Sequence, residues 1–177
     1  NENGYYSSYK SDEYGFNNPL YDWKNDFFEY VLIGDSHIHG ACVNRPFDIS
    51  SVLRSISNSN TLNLGIAGTG PLKQFAILKE YLPKKFNNLI WFYYPNDNED
   101  LIREIRDNNL KRYLLNDNFN QDLINKQSEI DNLLLEKLNK IYLKKQNENQ
   151  FNNYINLIKL TQTRKVILNL IMGSQNL

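Results

Sequence analysis

Three short apolar runs, each ending in a polar turn marked by glycine or proline, constrain this chain more than any other feature. Residues 29–33 end at Gly34-Asp35-Ser36, residues 61–66 run into the Gly65 to Gly70 turn, and residues 88–94 end at Pro95-Asn96-Asp97. A continuous apolar run stopped by glycine fits a strand buried on both faces of a parallel sheet. Helical patterns lie between the runs. Pro46 opens one through about Ser57, with Ile49, Val52, Leu53 and Ile56 on one face. A second carries Leu72, Phe75, Ala76, Leu78 and Leu82 and stops at Pro83. The order strand, helix, strand, helix, strand predicts an open, mostly parallel α/β sheet. Ligands bind such sheets outside the carboxyl ends of the strands. The three polar turns are therefore expected to share one edge.

The rest of the chain reads as more helical. Asn98 or Asp97 can cap a helix through about Asn108. Leu123, Gln127, Ile130, Leu134, Leu138 and Ile141 recur at helical spacing over residues 120–145, and the pattern resumes over 151–160. Residues 98–160 thus read as a helical insertion after the third strand. Residues 166–172 are mostly apolar and fit either the end of a helix or a fourth strand. The Asn-, Ser- and Tyr-rich lead-in is irregular, but Tyr14, Phe16, Tyr21 and Trp23 are expected to pack on the domain.

A chain of 177 residues, 41% hydrophobic, fits a single domain spanning 1–177. Twenty Lys+Arg balance twenty Asp+Glu, which removes the electrostatic case for a nucleic-acid partner. One cysteine excludes an internal disulfide framework. No apolar run approaches the roughly 20 residues that span a bilayer, and no signal peptide is legible. The start at Asn1 rather than Met suggests a missing leader or anchor, and with it an extracytoplasmic setting.

Chemistry concentrates in the first turn, where Asp35, Ser36, His37 and His39 lie within five residues. Ser36 follows a strand, and the first N–H groups of a helix have no internal partner. Its hydroxyl and its N–H then suit a nucleophile and an oxyanion donor; an ordinary helix cap is the competing reading. Gly68 can bring a backbone N–H close to substrate, or simply serve a loop that needs positive φ. The Asn96 side-chain amide is a third donor, or a turn residue. His37 and His39 with Asp35 could hold a metal, but no Cys or further His completes such a site. His39 on the turn after Ser36 is poorly placed to serve it as a base. Cys42 is read as a small buried hydrophobe. No cofactor is expected.

Together the three turns are more specific than any one. Gly34-Asp35-Ser36 with Gly40, Asn63-Leu64-Gly65-Ile66-Ala67-Gly68, and Tyr94-Pro95-Asn96-Asp97 resemble the first three blocks of the GDSL/SGNH hydrolase superfamily. Tyr94 stands where the third block usually has glycine. The lead-in from Asp12 to Pro19 is similar to the segment before the first strand in many bacterial members, and the likeness covers about residues 12–100.

This resemblance implies a flavodoxin-like three-layer α/β/α sandwich and acyl-ester hydrolysis or transfer through an acyl-serine. Ser36 would be the nucleophile. The Ser36 N–H, the Gly68 N–H and the Asn96 side chain would form the oxyanion hole, with Gly34, Asp35, Gly40 and Asp97 in support. The substrate would be a small-molecule, carbohydrate or lipid ester. The fourth block, Asp-x-x-His, is absent, because no His follows His39. Truncation before that block is the expectation. The alternative is a catalytically incomplete domain that binds an acyl or glycan ligand.

Overall fold

The computed structural model describes residues 7–158, apart from the side chains of 149–158. It divides into two compact units, Asn1–Gln127 and Ser128–Leu177. The first is built on a three-stranded parallel sheet of β1 (Phe28–Ile33), β2 (Thr61–Asn63) and β3 (Phe86–Trp91), in the order β2-β1-β3. Its helices are α1 (Ser36–His39), α2 (Ile49–Ser57), α3 (Pro71–Tyr81), α4 (Asp97–Glu104) and α5 (Asn108–Leu115). The expected alternation of strand and helix is therefore present, and the chain is α/β with a parallel sheet.

Strand β1 is central because its apolar run has partners on both sides. Tyr30 pairs with Thr61 and with Asn88, and Leu32 pairs with Asn63 and with Ile90. Val31 and Ile33, with Leu62 and Leu64, pack against Leu78 and Tyr81 of α3 and against Phe16. Side chains alternate along a strand, so Asn63 points away from Leu62 and Leu64. It bonds instead to the Ile38 carbonyl in α1 and to Ser50 in α2. Strand β3 pairs on one side only among the described residues; Leu89 and Trp91 are exposed along it, as is Phe92 just beyond its end.

Asp12 organises the lead-in. Its carboxylate accepts from the Tyr14 and Phe16 N–H groups, the Asn18 amide and the Trp23 indole. Tyr14, Phe16 and Trp23 form a ring cluster with Tyr81, as expected of packing aromatics. Tyr21 departs from that expectation and is exposed.

Helix α2 also reverses the reading of its pattern. Its apolar positions Ile49, Val52 and Ile56 face outward, Ile56 at 76% exposure, whereas Ser50 is fully buried. Polar bonding to the sheet outweighs the apolar periodicity here. The Ser50 hydroxyl donates to Asp48, and Arg54 bonds both Asp22 and the Thr61 carbonyl.

The expected insertion over 98–160 is divided. Helix α4 ends at Glu104, and Asp107 restarts the chain as α5 by accepting from the Asn109 and Leu110 N–H groups. Both α4 and α5 pack on α3. The second unit is built on α6 (Gln127–Ile158), which starts later than the amphipathic pattern suggested. Leu134, Leu138 and Ile141 on its expected apolar face are exposed, as are Leu133, Leu135 and Leu143. Residues 166–172 lie outside the described residues. Among the described residues, no helix is long and apolar enough to cross a membrane.

Candidate active site

Two backbone hydrogen bonds draw the turns to one edge. Beyond the end of β1, Phe92 N–H donates to the Ile33 carbonyl at 2.9 Å, and Ile66 N–H donates to the Gly34 carbonyl at 3.2 Å. Gly34 and Gly65 permit the close fit. A Cβ on Gly34 would lie 2.7 Å from Ile38 and 3.2 Å from Phe92. One on Gly65 would lie 2.7 Å from the His39 nitrogen and 2.8 Å from the Ile38 carbonyl carbon. The second turn is therefore seated directly on α1.

Ser36 is the first residue of α1. Asp35 precedes it as the N-cap, and its Oδ1 accepts from His37 N–H at 3.1 Å. Gly40 ends the helix with φ 75°, and a Cβ there would lie 2.9 Å from Asp48 and 3.1 Å from the Asn17 amide. That combination of positive φ and crowding suits glycine alone. Among the described residues, neither Ser36 Oγ nor Ser36 N–H has a hydrogen-bond partner. Ser36 lines a groove of about 490 Å³, together with His37, Ala41, Val43, Phe47 and Ile49. Cys42 lines this groove and is exposed, which corrects its reading as a buried hydrophobe. It sits on the open turn between α1 and α2, outside the packed layer beneath them.

Gly68 lies at the exposed tip of the second turn with φ 75°, and among the described residues nothing beyond its chain neighbours stands within 4 Å of where a Cβ would be. Asn96 occupies the N-cap position of α4 but makes no side-chain cap; among the described residues its exposed amide reaches only Asp100, at 3.4 Å. Asp97 is fully buried, and its Oδ2 accepts from Tyr94 N–H at 2.7 Å while its own N–H donates to the Tyr94 carbonyl. This reciprocal pair locks the third turn. His37 joins the third turn to the first: its ring stacks on Tyr94 at 4.8 Å, and its Nδ1 lies 3.3 Å from Asp35 Oδ1.

The two histidines part company. His39 Nδ1 accepts from Ala67 N–H at 2.8 Å, and Nε2 meets the Tyr9 hydroxyl at 2.7 Å. Burial holds its pKa below the ordinary histidine value. With both ring nitrogens engaged, His39 is turned away from Ser36. Among the described residues, no three His, Cys, Asp or Glu side chains cluster so as to hold a metal ion.

Sequence reasoning missed two residues that hold this edge together. Fully buried Asn63 accepts from Gly65 N–H and ties β2 to α1. Glu104, from α4, accepts from the N–H groups of Gly70, Leu72 and Lys73 at 2.7, 3.0 and 3.2 Å. It caps α3 from outside, because the N-cap Gly70 has no side chain to do so. A Cβ on Gly70 would lie 2.5 Å from Asp100, so α4 rests on this glycine. The one local signal was the bare Gly70-Pro71 helix start, which needs a cap from elsewhere. No protein-family model, curated protein or solved structure matches the chain.

Proposed function

We propose that the chain carries the nucleophile turn and oxyanion-hole turns of an SGNH-type serine ester hydrolase, on a flavodoxin-like three-layer α/β/α sheet domain. The observation that carries this reading is Ser36 at a strand-to-helix turn, with Oγ and N–H both unpartnered among the described residues and the residue itself lining a groove. In this reading Ser36 Oγ attacks the ester carbonyl, the alcohol departs with the serine proton, and water later cleaves the acyl-serine. Oxyanion stabilisation comes from the Ser36 N–H, the Gly68 N–H and the Asn96 amide. Asp35 and Gly40 set the helix that presents Ser36, Gly34 admits Ile38 and Phe92 beside it, and Asp97 fixes the turn that carries Asn96. The groove walls Val43, Phe47 and Ile49 favour an apolar acyl group.

A second reading, a catalytically incomplete SGNH-like domain that binds an acyl or glycan ligand, is favoured by one observation. Both nitrogens of His39 are occupied, and no histidine bonds Ser36 Oγ among the described residues. Hydrolysis of p-nitrophenyl acetate, with Ser36→Ala beside the parent, tests the first reading. A rate that disappears with Ser36 supports it. A rate unchanged by Ser36→Ala removes Ser36 from the reaction. Absence of any rate, with a saturable shift in melting temperature on adding an acyl ligand, favours the second.

A further inference from the structure

The turn that carries Gly68 is fastened at its tip by one titratable group. Gly65 N–H is held by the Asn63 amide, Ile66 N–H by the Gly34 carbonyl, and Gly70 N–H by Glu104. Between them, Ala67 N–H is held by His39 Nδ1. Gly68 itself has open space around its Cα. The Thr69 hydroxyl closes back on the Ile66 carbonyl, so the Ala67 bond is the last backbone N–H held before the Gly68 N–H.

We infer that His39 is a positioning residue, whose neutral Nδ1 holds the Ala67-Gly68 tip in place and releases it on protonation. This rests on the ester-hydrolase reading only for its catalytic consequence. An acceptor Nδ1 requires the proton of the neutral ring to sit on Nε2, where it donates to the Tyr9 hydroxyl. Protonation would place an Nδ1–H donor against the Ala67 N–H donor at 2.8 Å, and the contact would open.

Few other charges bear on the ring. The lead-in supplies Tyr9, whose phenol is pushed up by burial and by Asp12, with Arg45 opposing. On its own helix lie Asp35 and His37, which pair with each other. From the start of α2, Asp48 packs beside Gly40 and bonds Ser50 and Ser51. The loop from Ile66 to Gly70 contributes no titratable side chain. Among the described residues no carboxylate bonds the ring to favour its charged form, and its burial opposes that form. The tip is thus fixed at neutral pH and freed in acid.

The test combines NMR of the ¹⁵N-labelled chain with steady-state kinetics, on the parent, His39→Asn and His39→Leu. Asparagine offers an acceptor oxygen near the Nδ1 position and does not titrate. In the parent, the imidazole is expected as the Nε2–H tautomer, with the Ala67 amide shift following the His39 titration. Order parameters of Ala67 and Gly68 should fall from rigid, about 0.85, toward the flexible range below about 0.6 as His39 protonates. His39→Leu should show the mobile tip at every pH, with kcat about ten- to a hundredfold lower and KM little changed. His39→Asn should keep the ordered tip and restore kcat to within a few fold, without the acid limb that His39 imposes. An Nδ1–H tautomer, or a Gly68 amide unchanged in His39→Leu, overturns the inference. So does a parent-like kcat in His39→Leu. If the parent shows no Ser36-dependent hydrolysis, the ester-hydrolase reading fails separately, and the order parameters alone decide the role of His39.

Discussion

Replacing Glu104 with alanine removes the outside cap of α3. Glu104 is buried, and its two oxygens receive three backbone N–H groups within 3.2 Å. Hydrogen bonds to a charged group contribute roughly 1.5–3 kcal/mol each, and an orphaned buried donor costs roughly 1–3 kcal/mol. Water entering the vacated space recovers part of this, and the three bonds share one carboxylate, so they do not add fully. The expected loss is about 3–5 kcal/mol, a large fraction of a stability of about 5–15 kcal/mol. Lys73 Nζ also lies 3.6 Å from Glu104, but its side chain is about half exposed, so that pair adds little. Urea denaturation with Glu104→Ala, Glu104→Gln and Lys73→Ala separates the terms. At a slope of about 1.5 kcal/mol/M, Glu104→Ala should lower the midpoint by about 2–3 M, with Glu104→Gln at about half of this. Lys73→Ala should stay within about 0.5 kcal/mol of the parent. If Glu104→Ala costs no more than Lys73→Ala, α3 is not capped from α4 and the reasoning fails.

Gly65→Ala forces a methyl against backbone atoms of α1 and should destabilise by about 1–3 kcal/mol, read as a lowered melting temperature. Gly68→Ala meets open space but a φ of 75°, so its cost should be about 1–2 kcal/mol, from backbone strain alone. Burial raises the Asp48 pKa, but its bonds from Ser50 and Ser51 outweigh this and leave it lowered. Its contribution to stability is then present above the ordinary aspartate range and lost as pH falls through the folded value. Asp48→Asn should flatten that acid limb in a plot of unfolding free energy against pH. Tyr81 and Tyr113 are both pushed up to about 12, chiefly by burial and then by Glu80, through its charge on Tyr81 and its hydrogen bond to Tyr113. Their raised values favour the fold below about pH 10, and that contribution fades between about 10 and 12. An absorbance titration at about 295 nm should show two late tyrosines that move to the ordinary range in denaturant.

The strands and their shared edge were legible because each rests on a contiguous signal. An apolar run marks each strand and Gly34 marks the exit of β1, but β2 ends at Asn63 and β3 at Trp91, short of the expected ends at residues 66 and 94. The facing of α2 was not legible, because its period is identical whether the apolar side looks inward or outward. What decides it is Asn63 and Asp48 gathering Ser50, together with Asp22 receiving Arg54. Those partners are as much as 32 residues apart in sequence. Glu104 reaching Gly70 across 34 residues, and His39 reaching Ala67 across 28, are of the same kind. Side chains that satisfy distant backbone groups leave no spacing to read. At the site, Ser36, Gly68 and Asn96 stood out by their place in turns, while the residues that hold those turns did not.

The side of β3 that is unpaired among the described residues has a consequence for how the protein behaves in solution. Leu89 to Tyr94 is six consecutive uncharged aliphatic and aromatic residues, without proline or glycine, and its first half ends β3, whose second edge has no strand partner among the described residues. That composition is the one that stacks into steric zippers. Lys84 and Lys85 stand before it, and Pro95, Asp97, Glu99 and Asp100 follow, so charge and proline gate both ends. Resistance to self-association therefore comes from the flanks rather than from the strand. With a formal net charge of zero, the whole molecule adds no long-range repulsion to help them. Concentrated salt, which screens the flanks and leaves the strand untouched, is the condition under which this chain should first begin to aggregate.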